Sequence, residues 1–114
     1  MLSFSLTGMP IGIHAEIDAF LNFLQLAYGA SPHTLSAYRS DLHELVAHLS
    51  NPLLQASQVR PSQIEAHLAA LAREGREPSS IRRKLSALRG FFWFCRLELN
   101  LDEDPCDSFL GPSL

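Results

Sequence analysis

Cysteine is scarce in this chain. Cys95 and Cys106 are its only two, too few for the disulfide framework that staples a small secreted domain. No apolar run reaches the ~20 residues that a membrane-spanning helix needs. The opening stretch MLSFSLTGMPIGIHA has no basic segment ahead of an apolar one, so it does not read as an export signal. These absences lead us to expect a cytoplasmic protein in a reducing compartment. Catalytic signatures are missing as well. There is no phosphate-cradling glycine loop, no metalloprotease helix motif and no CxxC. The five histidines, His14, His33, His43, His48 and His67, include no pair at i, i+4, which leaves a helical zinc site without support. Ser79 and Ser86 have no evident base, and Cys95 falls on an apolar stripe where a thiolate is disfavoured. The sequence therefore gives no catalytic residue, and no metal or cofactor is expected. A net charge of −3 argues against a protein that coats nucleic acid by bulk positive charge. Strand alternation, internal repeats and low-complexity tracts are absent.

What is present is helical period. The chain has 114 residues, 46% hydrophobic and 18% charged, which suits one globular domain with one modest core. Residues 1–12 carry Gly8, Pro10 and Gly12 and no sustained period, so we expect a flexible arm there. A first helix is predicted over 13–28, with Ile13, Ile17, Phe20, Leu21, Leu24 and Tyr28 inward and Gly29 just past its end. Ser31 and Pro32 have the chemistry of an N-cap and a first helical residue, opening a second helix over 32–50. Its inward face is Leu35, Tyr38, Leu42, Leu45, Val46 and Leu49. Its first half is outwardly polar without acids, through His33, Ser36, Ser40 and His43, with Arg39 on the flank. Residues 53–60 read as a connection, extended or with one helical turn. Pro61 opens a third helix over 61–74.

The fourth helix, over 78–100, organises the rest. Ile81, Leu85, Leu88, Phe92, Cys95 and Leu99 make one stripe at steps of four and three. Arg83, Ser86 and Gly90 fall opposite that stripe, with Arg82 beside them and Lys84 adjoining. This face is basic at one end and small along its middle. Glycine within a helix costs about 1 kcal/mol relative to alanine, which is compatible with close approach of a phosphate backbone or of another helix. The plainer reading is a solvated basic face. Trp93 and Phe94 lie off the stripe, so the second half is apolar nearly all round, as in a central buried helix. Pro105 to Leu110 could form a short fifth helix, and 111–114 read as the start of a linker, so the domain is placed at 13–110.

Two stretches carry a resemblance. GASPHTLSAYRSDLHELVAHL, residues 29–49, resembles the pattern G-x-S-P-x-T-x-x-x-Y-x-x-D-L of tyrosine recombinases. SSIRRKLSALRGFFWF, residues 79–94, resembles their S-x-x-R-x-L-S-A-L-R-x-F-[FY] segment. Asp104-Pro105 stands where that family usually has Asn-Pro, so one residue departs. Order and spacing resemble the N-terminal core-binding domain of XerC/XerD-type recombinases and phage integrases.

The resemblance implies an all-α, SAM-like bundle of two crossed helical hairpins. It implies a domain that arches over duplex DNA with its second and fourth helices toward the major groove, while a catalytic domain, not among these residues, clamps the other side. It also implies sister recombinase subunits as partners, no membrane, and a role in DNA recombination or integration, such as chromosome partition at cell division. On its own the fragment is expected to be monomeric. Ser31, Thr34, Arg82, Arg83 and Arg89 match the family motifs in position. His33, Ser36, Arg39, Ser40, Ser86 and Gly90 come from the helical wheels. Arg89 has an alternative, since it lies near the core edge and could brace Asp41 or another acid. A different class of function also stays open: a protein-interaction module presenting Phe91, Trp93 and Phe94.

Overall fold

The structure is a computed structural model that describes residues 12–51 and 54–107. The expected arm at 1–12, save Gly12, and the linker start at 111–114 lie outside the described residues. So do 108–110 of the short fifth helix; residues 105 and 106 form a turn that leads into a 3-10 conformation at Asp107. Four α-helices and one 3-10 turn make up the described residues, with no strand among them. They are α1 (Ile13–Tyr28), α2 (Pro32–Leu49), α3 (Pro61–Arg73) and α4 (Pro78–Glu98), with the 3-10 turn at Ala56–Gln58 between α2 and α3. The fold is the expected all-α bundle.

Local chemistry sets the helix ends. Gly29 takes φ 61°, and its N–H and that of Ala30 close back onto Gln25 and Leu24, ending α1 in the left-handed turn that glycine permits. Two residues later the Ser31 hydroxyl accepts the Thr34 N–H at 3.1 Å and Pro32 begins α2. In α3 the Gln63 side chain reaches back to the Arg60 N–H at 2.8 Å, the reverse half of a capping box. Gln58 does the same for Gln55, also at 2.8 Å, in the 3-10 turn.

Helices α2 and α4 are the inner pair: they pack on each other, and α1 and α3 each pack on both. Phe20 of α1 is the wedge. It meets Phe91 edge-on at 5.8 Å and Phe94 at 5.6 Å from α4, and stacks on Tyr38 of α2 at 6.5 Å. The connection between α2 and α3 is fastened under the start of α1. The Ile13 N–H donates to the Leu54 carbonyl, and the Ala56 N–H to Glu16 Oε1, both at 2.8 Å. Cys95 and Cys106 are buried. Burial pushes the Cys95 thiol up and the Cys106 thiol up to about 12, so both behave as small apolar residues. Tyr28, expected on the core stripe, is instead 66% exposed: it ends the helix, one residue before the Gly29 turn, and only the edge of Phe23 covers it. No helix among the described residues is long and apolar enough to cross a membrane.

Histidines mark both seams of α2. His14 of α1 and His43 of α2 stack with ring centroids 4.8 Å apart and their Nδ1 atoms at 3.1 Å, and His48 of α2 meets His67 of α3 at 5.0 Å. The i, i+4 criterion misses such pairs because they form between helices. Burial first, then His14 and Arg39, lowers His43 against a weaker pull from Asp18. Burial first, then His48 and Lys84, lowers His67 against Glu44 and Glu74. Below about pH 6.5 the unfolded chain therefore takes up protons at these sites that the folded domain refuses, and stability falls with falling pH. Glu16, raised by burial against the Ala56 hydrogen bond, acts with the opposite sign. The melting temperature should drop between about pH 7.5 and pH 5.5, and the double variant His43→Gln/His67→Gln should flatten that drop. An unchanged pH profile in the double variant would contradict the assignment.

Candidate nucleic-acid interface

The N-terminal half of α2 presents a polar surface. His33, Ser36 and Ser40 are exposed. The Ser31 and Thr34 hydroxyls are joined at 3.1 Å within the helix cap, so they also serve to start α2. The first turn of α2 carries no acid, which leaves the positive end of its dipole uncompensated. Arg39 is exposed and reaches Asp18 of α1 at 2.9 Å. A pair this open to water contributes little and exchanges readily.

On α4, Arg82 is exposed and has no ion-pair partner among the described residues. Arg83 turns toward α2. Its Nε donates to Asp41 Oδ2 at 3.0 Å and its Nη2 to Oδ1 at 2.7 Å, a two-pronged pair that raises the guanidinium pKa further. Lys84 departs from expectation. It does not share the solvated basic face but is 7% exposed, with Nζ 2.9 Å from Asp41 Oδ1 and 2.8 Å from Glu44 Oε1. It is buried because its position faces α2, where two carboxylates receive it. Glu44 also accepts from Arg76, in the link before α4. Burial pushes the Glu44 carboxyl up, but hydrogen bonds from Lys84 and Arg76 outweigh it and hold the group below its ordinary value. Asp41 is 1% exposed and sits at the centre of this network.

Further along α4, Arg89 and Gly90 are half-buried. Arg89 does not brace Asp41. It lines a cleft of about 410 Å³ with Ser86, Gly90, Trp93 and Asp104, and its Nε is buried without a hydrogen-bond partner among the described residues. Burial, only partly offset by the Cys106 N–H, raises the Asp104 carboxyl in that cleft. Gly90 does not point clear of the core, since a Cβ there would lie 3.2 Å from Phe20 Cζ. The glycine admits the α1 wedge. The interaction patch of Phe91, Trp93 and Phe94 is not formed: Phe91 and Phe94 are buried against Phe20, and only Trp93 is open, at 46%. Sequence reasoning missed Asp41, Glu44 and Arg76 as one network. The available signal was an acid at the inner edge of α2 facing a helix with two consecutive cations.

With this geometry in place, comparison with known proteins gives the class. Residues 17–98 match the family described as phage integrase, N-terminal SAM-like domain, and the chain belongs to that family. It is 35% identical over 101 residues to the tyrosine recombinase XerC of Azotobacter vinelandii, covering 88% of this chain and 34% of the relative. It is 33% identical over 113 residues to the XerC of Vibrio vulnificus, covering 98% and 36%. The XerD of Listeria innocua is 33% identical over 91 residues, covering 78% and 31%. The chain thus spans about a third of the length of the curated relatives it matches. No solved structure gives a significant match.

The placement of Gly90 has a measurable consequence. Gly90→Val should destabilise the fold by about 1–3 kcal/mol in urea unfolding, because the added methyls meet Phe20. Ser86→Ala, one turn earlier and exposed, should stay within about 0.5 kcal/mol. Equal effects would place Gly90 on an open surface.

Proposed function

We propose that this chain is the DNA-binding N-terminal domain of a XerC/XerD-type tyrosine recombinase, contacting duplex DNA through the adjoining surfaces of α2 and α4. The observation that carries the reading is the pair Arg82 and Arg83, exposed in the first two turns of α4, with Arg83 joined to Asp41 of α2 just where the acid-free, serine-bearing first half of that helix ends. Arginine forks contact phosphates or a guanine edge, and short hydroxyl side chains let a backbone come near. The N-terminus of α2 adds a favourable end for a phosphate. His33, Ser36, Ser40 and Ser86 lie exposed along the two helices, while Arg39 would exchange Asp18 for a phosphate. Arg89 and Gly90, half-buried, contribute less than their wheel positions suggest. In this reading strand cleavage belongs to another part of the recombinase, and the protein acts in the cytoplasm with sister recombinase subunits. The overall charge of −3 makes binding by this domain alone weak and salt-sensitive.

The test is an NMR titration of the chain with a mixed-sequence duplex of about 30 base pairs at low and moderate salt, together with anisotropy isotherms. Shifts should gather at residues 31–43 and 79–90 and fade as salt rises. Arg82→Ala should weaken binding and lower the salt slope by about one unit. Shifts confined to residues 93–99, with binding unchanged in an Arg82→Ala/Arg83→Ala double variant, would refute the interface.

A further inference from the structure

Asp41 holds more positive charge than its neutralisation needs. Its carboxylate is buried and accepts from Lys84, itself buried, at 2.9 Å. Lys84 is shared with Glu44, which also takes Arg76, so these two cations offset the two acids without Arg83. Yet both Asp41 oxygens are also bridged by the Nε and Nη2 of Arg83, whose side chain remains 48% exposed. The outer Nη1 of Arg83 has no acceptor among the described residues. The inner edge of the guanidinium is thus fixed to the protein and the outer edge is left toward solvent. Its neighbour Arg82 has no comparable restraint.

A free surface arginine samples many rotamers and must be ordered when it contacts a ligand, which weakens binding. An arginine already locked into a two-pronged pair avoids much of that loss. A carboxylate next to a phosphate would ordinarily repel it, but here Lys84 and Arg76 together balance Asp41 and its neighbour Glu44. We propose that Asp41 is a positioning residue for DNA binding: it fixes the fork of Arg83 so that the Nη1 edge is presented to an acceptor on the duplex. This rests on the α2–α4 interface proposed above and adds the group that gives one of its arginines a direction.

The test compares affinity for a fluorescein-labelled mixed-sequence duplex at low salt across Arg82→Ala, Arg83→Ala, Arg83→Lys and Asp41→Asn, each checked for folding by circular dichroism at the working temperature. Charge alone predicts tighter binding for Asp41→Asn, because a negative charge is removed. Positioning predicts the opposite sign, with affinity falling about 3- to 10-fold. Arg83→Lys keeps the charge but loses the fork, and should fall by a similar factor. Arg83→Ala should then weaken the Asp41→Asn protein less than it weakens the unmodified one. If Arg83→Ala weakens binding while Asp41→Asn binds as well as or better than the unmodified chain, Asp41 does not position Arg83 and the interface stands. If neither Arg82→Ala nor Arg83→Ala weakens binding, the interface itself fails. Should Asp41→Asn not fold, Arg83→Lys decides: affinity equal to that of the unmodified chain overturns the proposal.

Discussion

Burial of the Asp41 carboxylate constrains how α2 and α4 can meet. Taking a charge out of water is costly unless it is paired and hydrogen-bonded. Asp41 meets that condition through Arg83 and Lys84, both supplied by α4. A shift of one residue in the register between the two helices would separate the acid from both cations. Glu44, one turn further along α2, repeats the arrangement with Lys84 and with Arg76 from the link that leads into α4. The charge pairs therefore fix register and direction, which the apolar contacts alone would leave loosely specified. Their function and their structural role share an atom set: the cation that faces the proposed ligand, Arg83, is also half of the seam.

The apolar core completes what the charges align. Phe20 enters between α2 and α4 against Phe91, Phe94 and Tyr38, and Gly90 makes room for it. This packing takes most of the second half of α4 out of reach of a ligand and leaves Trp93, Arg96 and Leu97 outward. Of the exposed basic groups of α4, Arg82 and Arg83 stand together in its first two turns, while Arg96 near the other end lies 3.7 Å from Asp107. A domain that is acidic overall can in this way carry a local cationic surface without a large positive field.

Most of the fold was legible because its signals are local. Ser31-Pro32, Pro61, Pro78 and Gly29 punctuate the chain with residues whose backbone and hydrogen-bonding chemistry admit few alternatives, and helical period fills the intervals. The exposed part of the candidate site, Arg82, Arg83, Ser86 and the outward residues of α2, was legible for the same reason. The losses are all between helices. A wheel drawn around one stripe of α4 sets Lys84 and Gly90 on the open side because it cannot register how α1, α2 and α3 pack on the helix, whereas the burial of Phe91 and Phe94 agrees with a second half that reads as apolar nearly all round and central. Partners of Asp41 depend on the register of two helices about forty residues apart in sequence, and the pairing of His14 with His43 depends on a similar alignment.

The central claim is that the α2–α4 seam is set by a buried acid and the cations facing it. A double-mutant cycle on unfolding free energy with Asp41→Leu, Lys84→Met and the double variant tests it most directly. Asp41→Leu leaves the buried Lys84 with Glu44 alone and Arg83 without its acceptor, and should cost about 3–5 kcal/mol. Adding Lys84→Met should return much of that loss, giving a coupling of about 1–3 kcal/mol. Losses that simply add would show that the two charges do not hold the seam together.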